Sequence, residues 1–247
     1  MHKLPIRILL SLAVMLGMLV PFFVTAKLGP RRTNLALVRW AFHAGCVLWG
    51  IKVKTEGRIS GKLPLLVVSN HFSYTDVFAL ASVMKVRFTP KSDVAAWPVI
   101  GFFCTITGCL FIDRRAHQTM KNKTMLENAL RDGGAISLFP EGTTGDGAAM
   151  LPFKSSFFSI AWDHGVPVQP VSIVYTKLNG EPVTPANKHI VGWYGKAEFF
   201  PHLVTLLQQK SIDVTLVFHE PVESKKFTSR KELAQFCQGV VANSLSA

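Results

Sequence analysis

Acidic side chains are scarce in this chain. Its 247 residues hold 15 Asp and Glu against 27 Lys and Arg, a formal net charge of +12. Such an imbalance suits two kinds of partner, a nucleic acid or an anionic membrane surface. Zinc-knuckle spacing, RNP-like aromatic motifs and a basic helix are all missing, which argues against nucleic acid. Cysteine is sparse as well: Cys46, Cys104, Cys109 and Cys237 form no C-x-x-C pair. That pattern argues against a disulfide framework and against a zinc site, and leaves free thiols. The chain has no internal repeat, no low-complexity tract and no Gly-x-Ser-x-Gly run that would suggest a serine nucleophile elbow.

Charge is also missing from Ile8 to Ala26, 19 residues (ILLSLAVMLGMLVPFFVTA) that follow the basic Lys3 and Arg7. This length just crosses a hydrocarbon core, with Pro21 kinking it near the far end. A cleaved signal peptide is the alternative, with Val24-Thr25-Ala26 as a small-residue cleavage site. The next segment, Leu35 to Ile51, is apolar and flanked by Trp40 and Trp49, with Arg39 and His43 on one face. It reads as an interfacial or re-entrant helix. Lys27, Arg31 and Arg32 lie between the two segments, where they meet lipid phosphates. We therefore expect residues 1–52 to be a two-helix membrane anchor. It would sit on the inner (cytoplasmic) membrane, with the active site facing the cytoplasm.

With 49% hydrophobic residues, the remaining 53–247 can bury a sizeable core as one α/β domain. Apolar strand-like runs fall at 65–69, 86–90, 108–112, 135–139, 168–175, 188–194 and 212–219. Helical periodicity falls near 76–84, 94–103, 117–131, 153–163, 199–209 and 229–244. The alternation predicts a mostly parallel central sheet flanked by helices, with ligands beyond the carboxyl ends of its strands.

Three clusters fall at those ends. The first is Ser69-Asn70-His71-Phe72-Ser73-Tyr74-Thr75-Asp76, where a buried strand passes into a helix. The spacing lets the Asp76 carboxylate turn back onto one imidazole nitrogen of His71 and leaves the other as a base for a hydroxyl proton. A histidine that merely caps or packs is the plainer alternative. The second cluster, Phe139-Pro140-Glu141-Gly142-Thr143-Thr144-Gly145-Asp146-Gly147, combines a carboxylate, two hydroxyls and three glycines that allow close backbone approach to a ligand. Read alone it is also a plain strand-end turn. The third is Gly108 to Arg115, a strand ending in Asp113, Arg114 and Arg115, whose guanidinium groups fork onto phosphate oxygens. Lys91 and Lys154 add positive charge at the same rim.

The clusters together resemble the glycerolipid acyltransferase family of the bacterial 1-acylglycerol-3-phosphate acyltransferase type. Asn70-His71-x4-Asp76, Gly108-x-x-Phe111-Ile112-Asp113-Arg114, Phe139-Pro140-Glu141-Gly142-Thr143 and Val166-Pro167-Val168-Gln169-Pro170-Val171 are similar to its motifs, in order across residues 70–171. The resemblance implies acyl transfer from acyl-coenzyme A or acyl carrier protein to a lysolipid hydroxyl. It implies no acyl-enzyme and no metal or other cofactor. His71 would act as general base and Asp76 as the group that fixes its tautomer. Glu141, Gly142, Thr143 and Thr144 would shape the acceptor site, and Lys91, Arg114 and Arg115 would meet phosphate.

One position departs from that pattern. Relatives acting on 1-acylglycerol-3-phosphate often carry Arg where this chain has Thr144, and similar Thr-Gly-Asp-Gly loops occur in relatives that acylate lyso-ornithine lipid. Both acceptors stay open, with the glycerophosphate lipid named first as the commoner. Two rivals from other classes also stay open. One is a metal-dependent lipid hydrolase using His71, Asp76 and Glu141 as a facial triad; the other is a non-catalytic lipid-binding protein of the same fold.

Overall fold

The protein is described here by a computed structural model covering residues 3–28, 31–113 and 119–245. Its sheet has seven strands: β1 (Ile51–Gly57), β2 (Leu65–Ser69), β3 (Arg87–Phe88), β4 (Ala135–Leu138), β5 (Val168–Leu178), β6 (Glu181–Pro182) and β7 (Ile212–Phe218). Their order is β1-β7-β5-β2-β4-β3, with β6 off the path against β5. The β1–β7, β2–β5, β2–β4 and β3–β4 pairs are parallel; only β5 with β7 and with β6 is antiparallel. The mostly parallel sheet expected from the sequence is therefore what forms.

β2 and β4 are buried along their whole length. Strands covered on both faces need this continuous apolar character. Successive side chains feed opposite cores. Leu65 and Val67 join Leu80, Ile173, Leu206 and Leu216 on one face, while Leu66 and Val68 join Phe158, Ile160, Leu233 and Val241 on the other. The first face carries α3 (Thr75–Val83) and α7 (Phe199–Leu207). The second carries α5 (Thr119–Arg131), α6 (Ser159–His164) and α8 (Arg230–Leu245).

Two apolar helices precede the sheet, α1 (Lys3–Leu28) and α2 (Arg31–Trp49). Within α1, Leu4–Val24 is long and apolar enough to cross a membrane, and it is almost wholly unburied by the rest of the chain. α2 lies on α3, where Phe42 and Trp49 both contact the Phe78 ring. Trp49 Nε1 also donates to Ser11 Oγ of α1 at 3.0 Å. Arg7 ties α1 to the domain by donating to the carbonyls of Leu207 at 2.8 Å and Gln209 at the end of α7. A cation is favourable at a helix C-terminus, where carbonyls lack intrahelical partners.

Several local expectations need correction. Residues 108–112 form no strand beyond a single bridge from Ile112 to Lys91. Residues 188–194 hold a 3₁₀ turn at Lys188–Ile190 rather than a strand. The amides of Ile190, Val191 and Gly192 bond to carbonyls three and four residues back, and that of Trp193 to the Phe72 carbonyl, so none of the four joins a ladder. The helix expected over 94–103 divides into a 3₁₀ turn at Ser92–Ala96 and α4 (Pro98–Ile106). Pro98 supplies the break, since it favours a first helical position and restricts Trp97 to extended backbone. The helix expected over 153–163 likewise begins as a 3₁₀ turn, Ser155–Phe158, before α6. β1 was missed because its start was read as the end of the preceding apolar helix.

Candidate active site

The loop between β2 and α3, residues 70–74, is built from side-chain bonds to backbone. Asn70 Nδ2 donates to the Ile173 carbonyl at 3.0 Å, and its Oδ1 accepts the Ile173 amide at 2.8 Å. The β2–β5 ladder ends at Ser69 paired with Val171. The Asn70 amide thus stands in for the next rung, satisfying a buried N–H and C=O that would otherwise be orphaned.

His71 Nδ1 lies 2.8 Å from Asp76 Oδ2. A carboxylate only accepts, so Nδ1 carries the proton and Nε2 keeps its lone pair. Nε2 has no hydrogen-bond partner among the described residues. Asp76 is completely buried in the first turn of α3, while 19% of the His71 side chain remains exposed. Oδ2 also accepts the amides of Phe72 at 2.7 Å and Ser73 at 2.9 Å. Oδ1 accepts the Tyr175 hydroxyl at 2.6 Å, and Thr75 Oγ1 is 2.7 Å from that same phenolic oxygen. Burial, and then the Asp76 charge, hold the Tyr175 phenol well above its ordinary pKa, so it stays a donor. The imidazole stacks on Phe139, centroids 3.9 Å apart and 12° from parallel, and Phe139 stacks in turn near Phe88.

The second loop closes on the first through backbone. Glu141 Oε1 accepts the His71 amide at 2.6 Å, its Oε2 accepts the Leu151 amide at 2.9 Å, and the Gly145 amide donates to the His71 carbonyl at 2.9 Å. Burial raises the Glu141 pKa, and the two amide bonds work against that rise. Phe72 is gripped by this loop and by the one around Gly192. A Cβ on Gly192 would fall 2.4 Å from its ring, and one on Gly147, at φ +68°, 2.7 Å from it. The Trp193 amide donates to the Phe72 carbonyl at 3.0 Å.

Of the residues singled out in the sequence, His71, Asp76 and Glu141 come together. Gly142, at φ +76°, faces Lys154, whose Nζ would be 2.8 Å from an added Cβ. Thr143 is exposed and Thr144 half-buried on the same loop. Lys91 follows β3, the neighbour of β4, and its ammonium pairs with Asp93. Arg114 and Arg115 lie outside the described residues. Tyr175 carried no local signal. It sits 99 residues from Asp76 and meets it only because β5 pairs with β2. The Asn70 clamp and the Phe139 stack were likewise visible as motif letters but not as roles.

A family model described as Acyltransferase matches residues 50–174 of this chain, half of its length. The chain belongs to the acyltransferase family. Among curated acyltransferases, the lyso-ornithine lipid O-acyltransferase of Brucella abortus is 37% identical over 93% of this chain and 90% of its own length. The enzyme of the same name from Rhizobium meliloti is 32% identical over 92% and 79%. The 1-acyl-sn-glycerol-3-phosphate acyltransferase of Neisseria gonorrhoeae is 34% identical over a shorter span, 47% of this chain and 46% of its own length. The fold matches the crystal structure of the acyltransferase PlsC from Thermotoga maritima with TM-score 0.66 and 22% identity, over 97% of this chain and 96% of that one.

Proposed function

We propose that this acyltransferase moves a fatty acyl group from an acyl thioester to the free hydroxyl of a lysolipid, with lyso-ornithine lipid the first acceptor and 1-acylglycerol-3-phosphate the second. The order of acceptors rests on span. Similarity to lyso-ornithine lipid enzymes runs along nearly the whole chain, whereas the Neisseria glycerophosphate enzyme matches under half of it. Thr144 supports the same order, because a bidentate phosphate ligand is missing at that point of the loop.

The observation that carries the chemistry is the His71–Asp76 pair with Nε2 left as an acceptor. The acceptor hydroxyl approaches Nε2 and gives up its proton as its oxygen attacks the thioester carbonyl carbon. A new C–O ester bond forms, the C–S bond breaks, and His71 returns the proton to the departing thiolate. Asp76 stabilises the transient imidazolium and prevents the ring from changing tautomer. Phe139 and the bonds on Asp76 hold the ring in one orientation before substrate arrives, which is how a positioned base gains its rate advantage. Glu141 braces the loop through the His71 and Leu151 amides. Asp76 accepts four N–H and O–H donors and each Glu141 oxygen accepts an amide, so a facial metal triad would compete with those bonds. Thr143, Thr144 and Gly142 line the acceptor side, and Lys91, Arg114 and Arg115 supply charge for phosphate of the acceptor or of a coenzyme A or acyl carrier protein donor.

Residues 1–52 anchor the domain, residues 53–247, to the cytoplasmic face of the inner membrane, with α1 in the bilayer. The uncovered apolar length of α1 supports this reading. The test is a panel of lysolipids presented with acyl-coenzyme A and with acyl-acyl carrier protein, scored by product mass. Acylation of lyso-ornithine lipid ahead of 1-acylglycerol-3-phosphate is the expected result. Hydrolysis of the donor with no acylated lipid would overturn it.

A further inference from the structure

Beyond α1, the chain carries a second uncovered apolar surface, made by α4 and α7. In α7, His202, Leu206 and Leu207 face the core, while Phe200 is 74% exposed and Val204, one turn on, is exposed beside it. In α4, Val99 is 56% exposed and Phe102, three residues on, is exposed as well, with Trp97 just ahead of the helix. These side chains do not lie scattered. Phe102 meets Phe23 of α1 (centroids 6.4 Å), and Trp97 meets Phe199 at the start of α7 (5.8 Å). Phe199 touches Phe200, Trp193 and Tyr74 at 5.4, 5.9 and 5.1 Å. Ring contacts therefore tie α4 to α1 at one end, through Phe102, and to α7 and Tyr74 at the other, through Trp97 and Phe199; Tyr74 lies inside the His71–Asp76 loop.

We propose that α4 and α7 form a membrane-docking face whose partner is the boundary between headgroups and acyl chains of a phospholipid bilayer. Three observations favour lipid over protein. The face is continuous with α1, the helix read above as lying in the bilayer. The segments Trp97–Ile106 and Phe199–Leu207 contain no Lys, Arg, Asp or Glu, so they offer nothing to an acidic carrier protein. The chain's excess of 27 basic over 15 acidic residues suits an anionic leaflet around such a patch. α4 has nine residues, about 13 Å of helix, far short of a hydrocarbon core of about 30 Å. It therefore lies along the interface rather than across it, as amphipathic surface helices do. Docked in this way, the face sets the His71 loop at the depth where a bilayer-held lysolipid presents its hydroxyl.

This inference rests on the membrane reading of α1, and one experiment separates the two. Full-length protein is placed in nanodiscs of phosphatidylethanolamine and phosphatidylglycerol, one chain per disc. Photoreactive p-benzoylphenylalanine replaces Phe200, Leu16 of α1, or Lys231, which is exposed on α8 across the sheet. Irradiation should attach lipid to Phe200→p-benzoylphenylalanine at least about tenfold more than to the Lys231 variant, and comparably to the Leu16 variant. Lipid attachment at position 16 with only background at position 200 would sink the docking face and leave the anchor standing. Background at both positions would sink both. Cross-linking of position 200 within its own chain rather than to lipid would show the face covered by protein and overturn the proposal.

Discussion

Tyr175 donates its hydroxyl to Asp76 at 2.6 Å, across 99 residues of sequence, and that bond joins β5 to the first turn of α3, the turn that holds His71. With it, Asp76 accepts from the His71 ring, two amides and a phenol, all inside the fold. The carboxylate is fixed by its surroundings, so the imidazole it holds is fixed too.

Tyr175→Phe removes that donor and leaves Thr75 Oγ1 without its phenolic partner. Hydrogen bonds to charged groups contribute about 1.5–3 kcal/mol. We expect a loss of stability of that size in denaturant melts, and a smaller loss of turnover than Asp76→Asn, which also removes the group that fixes the His71 tautomer. Equal turnover in Tyr175→Phe and Asp76→Asn would contradict that order and make the Tyr175 bond essential to the hold of Asp76 on His71.

Asn70→Ala leaves the Ile173 N–H and C=O unpaired inside the protein. An unsatisfied buried group costs about 1–3 kcal/mol. Chemical denaturation should report that loss, and hydrogen exchange at Ile173 should rise. An unchanged exchange rate at Ile173 would mean the clamp is not what protects that amide.

Stability should also fall with acidity in a predictable window. His202 and His219 are both held below their ordinary value of 6.5 by burial. Each unfolded imidazole takes up a proton before its folded counterpart does. Their contribution is therefore complete above the unfolded value and is lost as pH falls through the lower folded values. Melting temperatures measured from about pH 7.5 down to about pH 5 should decline. His202→Gln should flatten that decline while lowering the neutral-pH melting point, because the Tyr74 and Gly192 bonds to its ring disappear. A pH slope unchanged by the substitution would remove His202 from the account.

Thr144→Arg tests the acceptor. A guanidinium fork on a partly buried phosphate should shift the ratio of rates towards 1-acylglycerol-3-phosphate by roughly tenfold. If both acceptors keep their wild-type rates, position 144 does not read the headgroup and selectivity rests elsewhere in the site.

The sequence made the parallel sheet legible because β2 and β4 are short runs, apolar but for one serine each and bounded by turn residues, a pattern set by local chemistry. It also placed His71 and Asp76 together, since a spacing of five along one loop is a local constraint. It did not reveal Tyr175 or the Ile173 partner of Asn70. Those contacts depend on which strands become neighbours, and strand order is decided by packing of the whole chain. Residues 108–112 and 188–194 misled for a related reason. Both are apolar enough for a strand, yet the amides of 190–192 are consumed locally and only Ile112 of 108–112 reaches a bridge.

The most direct test of the account compares wild type with His71→Ala in one assay, following thiol release from the acyl donor and acylated lyso-ornithine lipid together. Wild type should release thiol only when the lysolipid is present, one equivalent for each product formed. His71→Ala should keep the fold and membrane binding and lose about 10²–10⁴ in rate, the usual contribution of a positioned general base. Near-wild-type turnover in His71→Ala, or thiol release independent of lysolipid, would contradict it.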